Sequence, residues 1–357
     1  MDYLNRMRET QDYILEFLED TESDQQKFDR LLPLLNSIKT KKDKYELKSL
    51  LYLISKITKN HFRYPAFFDR IKKIIIIFQE EIKQTFSNVE IFDIFKNNKL
   101  LLLLLIENEI VTLDQDIISK ISEKEDYITF LYPEISKVQP DIKPRNIPEH
   151  FDEKRRYGEN DSYCCDLIRN DNVVEFIVLY NKNEINLEMK VPYSIYETNP
   201  FLLKKEATLI EYSAFFGSLD IFNFLRMNGI RMNSSLWLYA IHGKNADIIH
   251  CLEENKVEIE KRDFQMLLKE SIKCHNNGLA NYFKDNFVKE IDIHLHYFRN
   301  EFSYAFNFYN FNFIPDQLDE PFFFFYAIEY DYFNLVNYYL KNIKNLDING
   351  TIILSKL

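Results

Sequence analysis

The stretch "SAFFGSLDIFNFLRMNG", residues 213–229, holds two glycines twelve positions apart, in a chain with only six glycines among 357 residues. The apolar stripe between them includes the pair Phe224–Leu225. Glycine lacks a Cβ, so it adopts left-handed backbone conformations that other residues reach only at a cost in free energy. Gly217 and Gly229 therefore predict the beginning and the end of one short helix in a helix-turn-helix unit.

The same layout recurs later in the chain. Without a gap, Gly217 falls on Gly243 and Ala214 falls on Ala240, which gives a period of 26 residues. Self-similarity at a fixed period indicates units that stack on one another, so the sequence predicts an all-α, helix-turn-helix solenoid. The predicted units are 161–183, 208–233, 234–260, 265–287, 321–347 and a partial unit at 351–357.

These units resemble the ankyrin repeat. The residues that carry the resemblance are Thr208, Ala214, Gly217, Ile221, Leu225, Asn228 and Gly229. An ankyrin repeat spans about 33 residues and opens with a β-turn. The shorter period here leaves no room for a full β-hairpin finger, and Leu209 replaces the proline that the family has after its threonine. The resemblance therefore implies an ankyrin-type solenoid with shortened fingers.

Several segments also resemble one ankyrin-containing subfamily that is expanded in protozoa. They include "CDLIRNDNVVEFI" at 165–177 and "LWLYAIHGKNADIIHCLEEN" at 236–255. Members of that subfamily carry a domain of unknown function and a helical region before the repeats. The stretch "NVEIFDIFKNNKLLLLLLIENEI", residues 88–110, is similar to that region. The resemblance thus implies helices, with degenerate repeats possible, before the array.

Proline and apolar spacing predict how the chain is divided. Residues 1–132 show apolar residues three and four apart, which is typical of amphipathic helices. Four prolines lie within 133–160, and because proline disfavours helix, this segment is predicted to be a linker. Residues 161–357 form the repeat array, interrupted by a long insertion at 184–206. Residues 288–320 match the repeat poorly and are predicted to be an irregular helix and a loop.

Composition narrows the class of protein. The net charge of −11 and the pI near 5.3 argue against a nucleic-acid-binding or polybasic membrane surface. The apolar runs at 74–78 and 100–106 are shorter than the ~18 residues that a membrane span requires. Four cysteines without framework spacing are typical of free thiols in a reducing compartment. We therefore expect a soluble, cytoplasmic protein without a membrane span.

Motifs for catalysis are missing from the sequence. It contains no phosphate-binding glycine loop of the common types and no nucleophile elbow. Thiolate and imidazole are the natural ligands of zinc, but the spacing of the candidate side chains does not match a zinc motif, and ordinary buried or turn positions explain them better. These candidates are His242, His250, Cys251, Cys274 and His275. We expect no enzyme activity, no cofactor and no metal.

A binding role follows from the repeat register. In an ankyrin stack, the residues just before the turn glycine face a concave groove, and solenoids bind partners on such surfaces. The residues predicted to bind a partner in this way are Phe215, Phe216, Ile241, His242, Ile272, Lys273, Ile328 and Glu329. The alternative is that Phe215 and Phe216 pack against the N-terminal helices.

The sequence therefore predicts a protein-protein interaction module or scaffold that is a monomer or associates weakly with itself. Its partner would be another protein, bound at the groove or at the insertion 184–206. The second hypothesis is a structural module that assembles through exposed repeat ends and aromatic faces. In both hypotheses the ligand is a protein and not a nucleic acid.

Overall fold

The computed structural model describes residues 2–19, 24–60, 66–142, 147–259, 263–287, 296–318 and 320–342. These residues form 23 α-helices and a 3-10 helix at Phe311–Phe313, and they contain no β-strand. A single antiparallel bridge joins Lys190 to Thr208. The prediction of an all-α fold is confirmed. The predicted partial unit at 351–357 lies outside the described residues.

The first half of the chain contains eleven of these helices. They are α1 (Asp2–Leu18), α2 (Asp24–Lys41), α3 (Lys44–Asn60), α4 (Phe67–Ile77), α5 (Gln79–Thr85), α6 (Asn88–Phe95), α7 (Lys99–Glu107), α8 (Gln115–Ser122), α9 (Glu125–Phe130), α10 (Tyr132–Val138) and α11 (Phe151–Tyr157).

The second half contains twelve helices. They are α12 (Tyr163–Arg169), α13 (Val173–Asn181), α14 (Pro200–Leu203), α15 (Leu209–Phe216), α16 (Leu219–Met227), α17 (Leu236–Gly243), α18 (Ala246–Glu254), α19 (Phe264–Lys273), α20 (Asn277–Phe287), α21 (His296–Asn307), α22 (Pro321–Glu329) and α23 (Phe333–Asn342). The first helices of successive pairs, α12, α15, α17, α19, α21 and α22, pack side by side in chain order.

One turn conformation repeats through the second half. In each helix pair, a residue with left-handed backbone lies two positions before the second helix. These residues are Asp171, Gly217, Lys244, His275, Tyr309 and Asp331, with φ between 48° and 69°. In the fifth pair the second helix is only the 3-10 helix at Phe311–Phe313. The segment predicted to be an irregular helix and a loop, residues 288–320, contains α21, a regular helix of 12 residues, followed by this turn and the 3-10 helix. Residues 288–295 and 319 lie outside the described residues.

Backbone hydrogen bonds close these turns in the same way. The residue after the left-handed one donates its N–H to a carbonyl five positions back, which satisfies the end of the first helix. The bonds are Asn172 to Leu167, Ser218 to Ser213, Asn276 to Ser271, Asn310 to Ala305 and Tyr332 to Ala327. Most of the acceptor residues are small, so the neighbouring helix packs closely over this turn.

The residue directly after the left-handed one also joins its helix pair to the previous pair. Its side chain donates a hydrogen bond to a backbone carbonyl of the pair before it in the stack. The bonds are Ser218 Oγ to Ile168 O, Asn245 Nδ2 to Gly217 O at 2.9 Å, Asn310 Nδ2 to Ile272 O at 2.9 Å and Tyr332 Oη to Phe306 O at 3.0 Å. Buried carbonyls at the helix ends are thus satisfied across the interface between pairs.

The glycines of the opening stretch act as the sequence predicts. Gly217 has φ of 69° at the end of α15, and Gly229 has φ of 85° at the end of α16. At Gly243 the expectation needs a correction, because the left-handed residue is Lys244, one position later. Gly243 is required for another reason: a Cβ on it would lie 2.2 Å from the backbone oxygen of Ala214.

The predicted linker at 133–160 is in fact packed structure. It contains α10 and α11, while residues 143–146 lie outside the described residues. Arg155 of α11 is buried and forms a bidentate ion pair with Glu134 of α10, with N–O distances of 2.6 and 2.7 Å. It also donates to the carbonyl of Phe130. Pro133 lies in the first turn of α10 and Pro140 follows the end of that helix, so these two prolines do not produce a free linker.

Replacing Gly243 with alanine tests the close contact between α15 and α17. The new Cβ would meet backbone atoms, which cannot move as a flexible side chain does, so we expect a loss of about 1–3 kcal/mol in the free energy of unfolding by urea. Gly278→Ala is the matched control. It has open space around its Cβ position and lies in α20, so alanine there should be neutral or stabilise by up to about 1 kcal/mol. Equal stability of the two variants would contradict the close contact.

Candidate functional site

The predicted groove residues are mostly enclosed in the structure. Phe215, Phe216, Ile241, His242 and Ile272 are buried, and Lys273 is partly buried. Ile328 is 51% exposed and Glu329 is exposed as well. The five buried side chains therefore do not offer a free surface to a partner in this structure. Their covering comes from the chain itself.

Helix α3 runs along the turns of the last helix pairs. Lys48 Nζ lies 3.2 Å and Tyr52 Oη lies 3.1 Å from Oδ2 of Asp331, the left-handed residue between α22 and α23. The Tyr52 ring stacks on Tyr309, the left-handed residue of the preceding pair, with 5.0 Å between centroids. One helix turn later, Lys56 Nζ contacts Asn307 Oδ1 at 3.4 Å. These α3 residues are spaced four apart, so one face of the helix follows the turns.

Asn60, the last residue of α3, reaches the fourth pair. Its carbonyl oxygen lies 3.4 Å from Sγ of Cys274 at the end of α19. Helix α1 also packs on this half: Gln11 accepts a hydrogen bond from the N–H of Phe311 at 2.8 Å, and Arg8 donates to the carbonyl of Ile314. The N-terminal helices thus cover the turns of the fourth to the sixth pairs.

The insertion covers the rest of the groove through α14. The Phe201 ring lies 4.3 Å from the His242 ring, 5.7 Å from the Phe215 ring and 5.0 Å from the Tyr239 ring, measured between centroids. Asn199 caps α14 by accepting the N–H of Phe201, and Pro200 is its first residue. Phe215 therefore packs against the insertion, and the buried residues of the predicted groove are enclosed by the chain itself. We call the region where α3 and α14 contact α15, α17, α19 and α21 the seam.

Three possible metal ligands meet in this seam. Donor atoms of His242, Glu270 and Cys274 lie within 4.8 Å of one another. Nε2 of His242 lies 2.8 Å from Oε1 of Glu270, which also accepts a hydrogen bond from Lys273 Nζ at 2.6 Å. Sγ of Cys274 lies 3.5 Å from Nδ1 of His242. This cluster contains two of the five zinc candidates from the sequence analysis, His242 and Cys274. Its third member, Glu270, was not among those candidates.

The charges of this cluster are balanced without a metal. Burial would raise the pKa of Glu270, but His242 and Lys273 outweigh this effect and lower that pKa to about 2. Burial lowers the pKa of His242 and raises the pKa of the Cys274 thiol well above its usual range. A neutral imidazole therefore donates from Nε2 to an ionised carboxylate, and a neutral thiol lies against Nδ1.

The position of the sulfur does not fit zinc. Sγ is nearly equidistant from the two ring nitrogens, at 3.5 Å from Nδ1 and 3.7 Å from Nε2, so it lies near the carbon edge between them or over the ring. An ion bonded along either lone pair would then lie about 4 Å from the sulfur, whereas a zinc–sulfur bond is about 2.3 Å. The buried thiol is also out of reach of a substrate, so a catalytic role does not follow from the triad.

The other zinc candidates do not join this cluster. The imidazole of His250 is exposed on α18 and contacts Glu253 and Glu254. Cys251 is buried on the same helix, and His275 is a buried left-handed turn residue whose Nε2 contacts the carbonyl of Tyr309 at 3.4 Å. Burial lowers the pKa of His275 to about 3, so it is neutral. Cys251 thus serves packing and His275 forms a turn, whereas His250 is a surface residue.

An open cavity of about 550 Å³ lies between the insertion and α15. Its volume is in the range of ligand-binding pockets. The residues that line it are Asn160, Lys190, Val191, Pro192, Tyr193, Ser194, Glu197, Leu202, Leu203, Lys204, Lys205, Glu206, Ala207 and Tyr212. Tyr193 is 80% exposed and Leu203 is 41% exposed, so two apolar side chains stand free beside charged ones.

The walls of this cavity are held in place by hydrogen bonds. Asn160 Nδ2 donates to the carbonyl of Pro192 at 2.7 Å, and Ser194 Oγ donates to Asp161 at 2.9 Å. The Tyr212 hydroxyl accepts from Arg169 at 3.0 Å. The insertion thus has a fixed conformation although it contains little regular structure, and it presents its exposed side chains from a rigid frame.

Gly158 anchors the insertion to the first half of the chain. Its carbonyl accepts two hydrogen bonds from Thr198, from the backbone N–H at 3.0 Å and from the hydroxyl at 2.7 Å. It has φ of 67°, and a Cβ on it would lie 2.5 Å from the side chain of Leu100. The insertion is therefore held by hydrogen bonds to the segment that directly follows α11.

Comparison with profiles of known protein families, with curated proteins and with solved structures finds no match for this chain. Among the described residues, none of the helices has both the length and the apolar character needed to cross a bilayer. Function must therefore be argued from the chain's own residues.

Sequence reasoning did not identify Phe201, α3 or Glu270 as parts of the groove. The pair Asn199–Pro200 does signal the start of a helix, because asparagine caps helices and proline favours their first position. No local pattern shows where that helix packs. Trp237 is buried, and its Nε1 donates a hydrogen bond to the carbonyl of Val257 at 3.0 Å.

Lys56 gives a test of the seam, because it is partly buried there without an acidic partner among the described residues. Burial and the charge of Lys59 lower the pKa of Lys56 from 10.5 to about 8. The unfolded chain then binds the proton more tightly, so stability should rise as the pH increases from 8 to 10.5. Lys56→Met should stabilise the protein at pH 7 by about 1–3 kcal/mol, with the gain shrinking through that window.

The measurement is urea unfolding at several pH values, with Lys72→Met as the control. Lys72 is exposed on α4 and should give no such pH-dependent difference. A difference between Lys56→Met and the parent chain that stays constant from pH 7 to 10.5 would show that Lys56 is not buried in the seam.

Proposed function

We propose that this chain is a non-enzymatic interaction module of the ankyrin type that binds another protein through its insertion, residues 184–206. The observation that carries the proposal is the rigid insertion with a 550 Å³ cavity and exposed apolar side chains at its edge. The buried groove cannot serve this purpose, because α3 and α14 fill it. The binding surface therefore moves from the concave face to the insertion.

Three features support the ankyrin-type assignment. Thr208 and Glu211 form a capping box at the start of α15, with each side chain bonded to the other's backbone N–H. The first and second helices from 209 to 254 are eight or nine residues long and are joined by left-handed turns. Consecutive pairs stack in chain order. The helix pairs are therefore those of a solenoid with short connections in place of hairpin fingers.

The exposed side chains suit a protein partner. Tyr193 has an apolar ring and a polar hydroxyl, and such residues often contribute much of the binding energy at interfaces. The four free cysteines are consistent with a reducing compartment, and we propose the cytoplasm. Binding would be to one surface of a monomer, so the second half of the chain serves as a scaffold for the insertion.

Self-assembly is the second candidate function. Ile328, Phe333 and Leu340 are exposed on the last described helix pair, with 51%, 38% and 56% of each residue accessible. An exposed stacking face at the end of a solenoid promotes association. Light scattering over a range of protein concentrations separates the two: a constant monomer mass favours binding to another protein, whereas a mass that grows with concentration favours assembly.

The test of insertion binding is capture from the native lysate with three baits. These are the parent chain, the double variant Tyr193→Ser, Leu203→Ser, and the control Met227→Ser. Met227 is 75% exposed on α16, so its replacement removes an exposed apolar side chain away from the insertion. We expect one partner to be held by the parent and by the control and to be lost, at least about tenfold, from the double variant. Equal capture by all three would remove the insertion as the binding surface.

A further inference from the structure

Four lysines from three separate segments meet where α3, α14 and α19 come together. They are Lys59 near the end of α3, Lys204 and Lys205 directly after α14, and Lys273 at the end of α19. We propose that this four-lysine cluster is a binding site for a compact anion that carries several phosphate groups. Lys204 and Lys205 belong to the insertion and line its cavity, but anion binding does not depend on the protein-binding role proposed for Tyr193 and Leu203, and it can be tested on the purified chain alone.

Direct contacts bring the three segments together. Lys205 Nζ lies 4.9 Å and Lys273 Nζ lies 5.8 Å from the centroid of the Phe201 ring, so two ammonium groups flank one aromatic side chain. Lys204 is the neighbour of Lys205. Helix α14 packs on α3, and the carbonyl of Asn60, the neighbour of Lys59, lies 3.4 Å from Cys274 Sγ, the neighbour of Lys273. The positive charges therefore share one region.

The charge of this cluster is poorly compensated. Lys59, Lys204 and Lys205 form no ion pair with any residue that the structure describes, and only Lys273 has a carboxylate partner, Glu270. The chain carries 56 acidic and 45 basic residues, so such an unbalanced basic cluster runs against its overall charge. Burial lowers the pKa of Lys59, and the nearby charges of Lys273 and Lys204 lower it further. The lysines repel one another until an anion lies between them.

The chemistry of the side chains indicates the kind of anion. Among the residues that the structure describes, no arginine joins the cluster; the planar guanidinium of arginine pairs with a carboxylate through two parallel hydrogen bonds. Lysine presents a compact point charge on a flexible stem and is a common phosphate ligand. Several ammonium groups around one region therefore favour a small, densely charged ligand over a single carboxylate. Lys204 and Lys205 are exposed, so a ligand reaches them directly from solvent.

Sodium tripolyphosphate is the probe, titrated calorimetrically into the purified chain in metal-free buffer at low and at moderate salt. The test variant is Lys204→Gln, Lys205→Gln, and the matched control is Lys72→Gln, Lys73→Gln. The control pair also consists of adjacent exposed lysines, on α4, and its replacement removes the same net charge. We expect binding that weakens with salt, an affinity about tenfold lower or more in the test variant, and parental affinity in the control.

The other outcomes overturn the proposal. Absence of binding to the parent chain, or an equal loss in the control, would show that the cluster is not a site. Lys59→Gln provides a second check, because unchanged affinity would exclude the buried end of the cluster. A hexaglutamate peptide that binds as tightly as tripolyphosphate would exclude phosphate recognition. None of these results bears on capture of a protein by Tyr193 and Leu203, so failure of one proposal is distinguishable from failure of the other.

Discussion

The left-handed turn between the two helices of each pair is the constraint on which the second half of the structure depends. It ends the first helix and sets the direction of the second. It also places the next residue, often asparagine or serine, where its side chain reaches a carbonyl of the previous pair. Asn98 makes a similar bond to the carbonyl of Thr58 in the first half. One local conformation thus satisfies helix ends and connects neighbours, and stacking follows from it.

Closure of the groove is the main consequence for function. A solenoid usually offers its concave face to partners, and in the solenoid that we propose α3 and α14 supply the side chains that a partner would otherwise provide. Asp331 receives both Lys48 and Tyr52, and Phe201 packs against His242 and Phe215. Tyr193, Leu203 and the two lysines that follow Leu203 in the insertion are exposed. The proposed functions therefore rest on residues that interrupt the repeat pattern.

The sequence predicted the repeating elements better than their packing. Gly217 and Gly229 revealed their turns because glycine is the residue that most readily adopts positive φ. The equivalent turns at His275 and Asp331 carry no such signal, since other residues also reach that conformation when the surrounding hydrogen bonds favour it. The predicted groove residues lie near the ends of their helices, next to the turns. Their burial was not predictable, because it depends on contacts with α3 that are distant in the sequence. Tyr52 of α3, for example, is 279 positions away from its partner Asp331.

That separation affects how the protein folds during synthesis. Ribosomes add about 5–20 residues per second, so α3 emerges roughly 15–55 s before the turn at Asp331 that covers its groove-facing side. During that interval Lys48 and Tyr52 lack Asp331 as a partner, and α3 exposes the face that packs against the second half of the chain in the folded protein. The nascent chain is then open to chaperones and to pairing with another copy until the turn between α22 and α23 reaches α3.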